Sequence, residues 1–422
     1  MSGENGTDVR AMIRQARGRF LAMAAAYALG AFNDNFFKQA VLLLAVGAGM
    51  SRLQAIVIVV FTLPFILLAA PAGWLADRFP RRTVVIASKA LELAAMVCGA
   101  IALCLSDWTL MVSMVGVLGV QAAVFSPALN GSIPDLYPAS HVVKANGRVK
   151  LAVTAAILLG TSLAGSALNQ KSRLADGATL GQATAGAVVV LVAAAGLLAA
   201  LGVPKRPAAD AGARFPWTGL VDTAAELNRI RKDSFLAVVL SADVFIWFVG
   251  ALQIPLINQM AGQEFGLDEA STSRLIAAEL VGLAVGGLLS GRIASGPRWH
   301  RVLPPACLGL ALCTGLVAVA PALAPQYRMP ALLAMLAAAG VFGGLVMIPC
   351  EAFIQVRPPA KRRGAVIAAA NAAAFVGILL SGAVYYLLER CGRAPSCCFL
   401  LLAGVSGASA VALASALRKH HD

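Results

Sequence analysis

Long apolar runs recur along the chain, separated by short polar and mostly basic connections. A helix rises about 1.5 Å per residue, so about 20 apolar residues cross the hydrocarbon core of a bilayer. Twelve such windows fall at roughly 19–48, 54–76, 83–105, 109–130, 148–169, 181–203, 234–260, 272–294, 302–321, 330–355, 364–389 and 396–417. They predict an all-α membrane protein of twelve transmembrane helices. The first window carries an interruption, Asn33-Asp34-Asn35 followed by Lys38. An ion at mid-depth costs several kcal/mol unless it faces protein or water, so charged residues there mark a pathway or a binding site. Asp34 and Lys38 are four apart on one helical face and can pair directly.

Further polar residues lie inside the windows. Lys89 and Glu92, three apart, read as a structural pair that satisfies itself. Asp243, Gln253 and Asn258 in the seventh window are candidates for lining a polar cavity, with Glu279 in the eighth, Glu351 in the tenth and Asn371 in the eleventh. Hydrogen bonding between helices is the competing role for each of them. Trp247 and Phe248 are suited to packing an acyl chain or simply the core.

Composition agrees with the windows. Of 422 residues 59% are hydrophobic and 13% charged, against about 25% charged in soluble domains. The net charge of +14 would suit nucleic acid if it were concentrated, but it is spread among the short connections. On the face shared by the termini lie 25 of the 34 lysines and arginines, against seven on the other. Basic loops stay in the cytoplasm, so both termini are expected there. The first window is too long for the apolar region of a cleavable signal peptide. The eight cysteines show no metal-ligand spacing; Cys391, Cys397 and Cys398 leave one disulfide open if their loop is periplasmic.

Internal repetition divides the chain into residues 1–203, a linker at 204–233, and residues 234–422. Gly73-Trp74-Leu75-Ala76-Asp77-Arg78 is echoed by Gly287-Leu288-Leu289-Ser290-Gly291-Arg292. Ser126-Pro127 is echoed by Ile348-Pro349, and the Ile157–Gly160 stretch by Ile378–Ser381. Two six-helix halves are the expected architecture. In the linker, Trp217, Leu220, Val221, Ala224 and Ile230 recur at near-helical spacing among charges, which predicts an amphipathic helix on the inner membrane surface.

The stretch from Gly73 to Arg82 resembles the signature cytoplasmic loop of the major facilitator superfamily, with Pro80 where a glycine is common. The resemblance implies gating roles for Gly73, Asp77, Arg78, Arg81 and Arg82. Within that superfamily the chain resembles the lysophospholipid transporter branch, including transporter domains fused to acyltransferases. The resemblance is carried by Gly30–Ala40, Phe125-Ser126-Pro127-Ala128, Val143–Gly147, Gly343–Pro349 and Arg363–Asn371. Leu129-Asn130-Gly131, Lys150 and Gln253 depart from that branch's pattern, so head-group contacts at those positions are not carried over. The branch implies flipping of lysophosphatidylethanolamine-type lipids across the bacterial inner membrane by alternating access. It also implies a cytoplasmic acyltransferase or acyl carrier as partner, membrane lipids around a monomer, and no cofactor. The substrate-binding residues expected are Asn33, Asp34, Asn35, Lys38, Asp243, Gln253, Asn258, Glu351 and Asn371. A proton-coupled drug or small-solute exporter, titrating at Asp34, Asp243 or Glu279, is the alternative. No acyltransferase, nucleophile-elbow or phosphate-loop motif is present, so catalysis is not expected.

Overall fold

Backbone amides in a bilayer have no water to bond, so a crossing segment must satisfy them internally, as an α-helix does. The computed structural model describes residues 6–132, 139–174, 177–208, 210–294, 298–358 and 363–418, which are almost entirely helical. The helices are α1 (Gly6–Gly47), α2 (Leu53–Leu67), α3 (Ala69–Arg78), α4 (Arg81–Leu105), α5 (Trp108–Ser132), α6 (Ala139–Leu168) and α7 (Leu180–Leu201). After them come α8 (Gly219–Ile230), α9 (Ser234–Gln259), α10 (Glu269–Ile293), α11 (Leu303–Ala318), α12 (Pro325–Val356), α13 (Arg363–Arg390) and α14 (Pro395–Arg418).

Ten of these are long and apolar enough to cross a membrane, and α2 with α3 makes an eleventh crossing bent by 52°. The bend has a local cause. Pro71 has no N–H for the carbonyl four residues back, at Leu67, and its ring crowds the preceding turn, so the helix breaks at Leu68. The first window lies in α1, whose apolar average is lowered by its own polar run. All twelve hydrophobic windows therefore become helices. Cys391, Cys397 and Cys398, left open to a disulfide by the sequence, are free thiols.

Contacts sort the chain into two compact units, Met1–Val41 with Leu63–Gly219, and Leu42–Thr62 with Leu220–Asp422. In the first, α4 packs on α5 and α7, and α3 on α5. Its core includes Phe20, Met23, Val85, Phe125 and Leu129. In the second, α10 packs on α12, α11 on α14, and α9 on α13. The α10–α12 crossing uses Gly282 and Gly286 against Gly340 and Gly344. Any Cβ at these positions would overlap backbone of the facing helix. Small residues four apart let membrane helices approach this closely, replacing side-chain packing with backbone contact.

The linker contains α8, as the periodicity predicts, with Trp217 just before it. Ile230 is buried in the core of the second unit, whereas Trp217, Leu220 and Val221 are exposed. Glu226 is buried and accepts from Arg229 at 3.3 Å. Asp233 then caps α9, accepting from the Leu236 N–H at 3.1 Å and from Arg357 at 3.1 Å. Burial acts to raise its pKa, but these donors outweigh it and hold the carboxyl below its ordinary value.

Candidate functional site

The polar run of α1 sits where four helices contribute. Asn33 is fully buried; its Nδ2 donates to Glu92 Oε1 of α4 at 3.2 Å and to the Val189 carbonyl of α7 at 3.1 Å. Glu92 Oε2 accepts from Lys89 Nζ at 2.6 Å and from Gln121 Nε2 of α5 at 3.2 Å. Lys89 also lies 4.6 Å from the centre of the Phe125 ring, a cation–π contact. The ammonium fits because residue 30 is glycine, where a Cβ would overlap Lys89 Nζ. Both Lys89 and Glu92 have fully buried side chains. The expected pairing of these two residues is present, and it reaches further than the sequence indicates, into Asn33 and Gln121.

Asp34, one residue on, is 9% exposed and lies within electrostatic reach of Glu92, Lys89 and Lys38. Its Oδ1 is buried with no hydrogen-bond partner. Asn35 donates to the Ala31 carbonyl at 2.8 Å, and Lys38 Nζ donates to Asn35 Oδ1 at 3.3 Å. The Lys38 hydrogen bond placed here thus goes to Asn35, while Asp34 and Lys38 interact through space. Lys89 and Glu92 satisfy each other, which leaves Asp34 and Lys38 as the acidic and basic groups beside them. That pair suits a ligand that itself carries both signs.

The second unit holds an uncharged network. Asn258 Nδ2 donates to Gln54 Oε1 at 3.0 Å, and Gln54 Nε2 donates to Tyr385 Oη at 2.7 Å and to the Pro255 carbonyl at 3.3 Å. Tyr385 donates to Gln259 Oε1 at 3.2 Å, Gln259 to Gln263 at 3.1 Å, and Gln263 to Ser51 Oγ at 2.7 Å. Gln259 and Gln263 flank the join between α9 and a π-helical turn at Met260–Glu264, a distortion often found at functional sites. Arg52 and Glu389 add an ion pair beside it. Of the residues expected in the seventh crossing, only Asn258 enters this network, while Asp243 and Gln253 are buried elsewhere on α9. Gln253 Nε2 has no hydrogen-bond partner. Glu351 is half-buried and Asn371 exposed. Sequence reasoning passed over Gln54, Gln121, Gln259 and Tyr385. The available signal was a polar residue inside or at the end of an apolar window. Replacement of Gln54 by leucine removes one bond each from Asn258 and Tyr385. It is expected to cost about 1–3 kcal/mol per buried group left unpaired, read as a lower unfolding temperature in detergent.

The signature loop is bound to the linker. Trp74 Nε1 donates to the Ala213 carbonyl at 3.0 Å, Arg78 to the carbonyls of Ala211 and Ala213, and Arg82 to the Leu201 carbonyl at 2.9 Å. Asp77 is exposed, 3.9 Å from Arg81. Gly73 faces open space, so the close approach that glycine permits is not used there. The side chains of Asn130, Lys144, Asn146 and Lys150 lie outside the described residues. Among the described residues no group of His, Cys, Asp or Glu is placed to hold a metal ion.

Comparison with known proteins supplies the family. The model of the Major Facilitator Superfamily matches residues 18–382 and 239–421. A lysophospholipid transporter LplT of Enterobacter sp. (strain 638) is 28% identical over 383 residues, covering 88% of this chain and 89% of its own. One from Yersinia pestis (strain Pestoides F) is 30% identical over 345 residues, 80% of this chain and 79% of its own. Among solved structures, a bacterial homologue of the human lysosomal transporter Spinster has a TM-score of 0.67 at 17% identity, covering 96% of this chain and 92% of its own. The xylose transporter XylE of E. coli has a TM-score of 0.69 at 16% identity, covering 93% and 95%. These two likenesses concern the fold alone. With a family model spanning nearly the whole described length and relatives aligned over most of both chains, the protein belongs to the major facilitator superfamily, in its lysophospholipid transporter branch.

Proposed function

We propose that this transporter flips lysophospholipids of the lysophosphatidylethanolamine type from the outer to the inner leaflet of the bacterial inner membrane. The termini lie in the cytoplasm, and a cytoplasmic acyltransferase or acyl carrier partner uses the delivered lipid. Transport proceeds by alternating access, with Gly73, Asp77, Arg78, Arg81 and Arg82 in the gating loop. The observation that carries this reading is Asp34 Oδ1, a buried acceptor with no hydrogen-bond partner in a cluster where Glu92 already accepts from three donors. A buried carboxylate oxygen calls for a donor, and a primary ammonium brings three. Lys38, four residues further along α1, offers its charge to the phosphate of the same head group.

The test is movement of labelled lysophosphatidylethanolamine across proteoliposome membranes. The wild type is expected to move it without an imposed pH gradient. Asp34→Asn is expected to slow it about 10- to 100-fold, the equivalent of one lost charge-assisted hydrogen bond. Lys38→Ala is expected to weaken transport less, because the phosphate can still be solvated. Wild-type rates in Asp34→Asn would remove Asp34 from the site. Transport only under a pH gradient would favour the proton-coupled exporter instead.

A further inference from the structure

The linker does more than join two sets of helices, because residues 210–217 are laid across the loop between α3 and α4. The Asp210 N–H donates to the Asp77 carbonyl at 2.9 Å, and the Trp74 and Arg78 donors hold the carbonyls of Ala211 and Ala213. Ring contacts continue the attachment outward. Phe79 lies 6.0 Å from Trp74, Trp74 lies 5.3 Å from Phe215, and Phe215 lies 4.7 Å from Trp217. This ladder ends at the protein surface, with Trp217 88% exposed. An indole so uncovered, at the tip of a fixed aromatic row, is costly in water and favourable at a bilayer interface, where tryptophan concentrates.

The charges beside the ladder have one dominant sign. Arg78, Arg81 and Arg82 lie on the loop, with exposed Lys205, Arg206 and Arg214 on the linker, against Asp77 and Asp210. Basic residues beside an interfacial aromatic attract anionic head groups, each worth about a factor of five in membrane affinity. We propose that this strap and loop form a docking surface for the anionic phospholipids of the inner leaflet. Trp217 is its anchor, and Arg214 is its principal charge. Because Trp74 and Arg78 hold the strap, lipid engagement there also steadies the signature loop. The proposal rests on the orientation given above and is independent of the transported lipid.

The full-length protein in nanodiscs of phosphatidylcholine, with and without phosphatidylglycerol, tests it by hydrogen exchange in the peptides covering 74–82 and 210–217. Anionic lipid is expected to slow exchange in both peptides about fivefold or more. High salt, with a Debye length of about 3 Å at 1 M, is expected to reverse the effect. Trp217→Ser with Arg214→Gln is expected to abolish the lipid effect while leaving the unfolding temperature in detergent unchanged, since both side chains are exposed. Equal protection in the two nanodiscs overturns the proposal, and so does a lipid effect undiminished in the double variant. Protection by inorganic phosphate in lipid-free detergent overturns the assignment to lipid.

Discussion

Substitution of Gly340 by leucine is expected to leave little or no folded protein. A Cβ there would overlap the Glu279 carbonyl oxygen of α10, 2.9 Å from the carbonyl carbon and 2.8 Å from the Leu283 nitrogen. No side-chain rotation relieves a collision with backbone, so the helices must separate. Separation undoes the contacts of Gly282, Gly286 and Gly344 in the same crossing, and the loss exceeds the ~1–3 kcal/mol usual for overpacking. Gly343 supplies the control, because its added Cβ would meet only the far end of Leu283 at 3.5 Å. Gly343→Ala is expected to give wild-type yields of monodisperse protein in detergent, and Gly340→Leu a collapsed yield with aggregation. Equal yields would mean that α10 and α12 do not cross as closely as described.

That crossing also marks a boundary of what the sequence makes legible. The twelve helices can be read directly, because a bilayer demands internally bonded backbone and sets its length. The break at Leu68 follows from Pro71, and the Lys89–Glu92 pair follows from helical spacing. Partners on other helices are another matter. Glu92 is bound by Asn33 and Gln121, 59 and 29 residues away, and no periodicity within α4 announces them. The partners of Gln54 are hidden for the same reason, since its bonds to Asn258 and Tyr385 reach across 204 and 331 residues. Segment Leu42–Thr62 groups by contacts with the second unit, which no local pattern announces. Polarity inside a window says that a residue is special, but not which way it faces. Asp34 is buried and Asn371 exposed, and nothing in either window distinguishes them.

Removal of Lys89 is the second change with a large expected effect, because it leaves Glu92 buried without its cation. Breaking a buried pair from one side costs about 3–5 kcal/mol, most of it the penalty of the charge left behind. Lys89→Met is therefore expected to lower the unfolding temperature in detergent sharply. Glu92 would keep its bonds from Asn33 and Gln121, but two neutral amides do not replace an ammonium at 2.6 Å. Lys89→Met with Glu92→Gln removes both charges and preserves an acceptor for Asn33, so most of the stability is expected to return. A double variant no more stable than the single one would show that the ion pair is not the source of the cost. Transport separates the pair's structural role from a role in binding. With Asn33 and Asp34 still in place, the double variant is expected to move lysolipid at near wild-type rates, unlike Asp34→Asn. A stable double variant that fails to transport would instead place Lys89 and Glu92 in contact with the cargo, extending the charged cluster from α1 into α4.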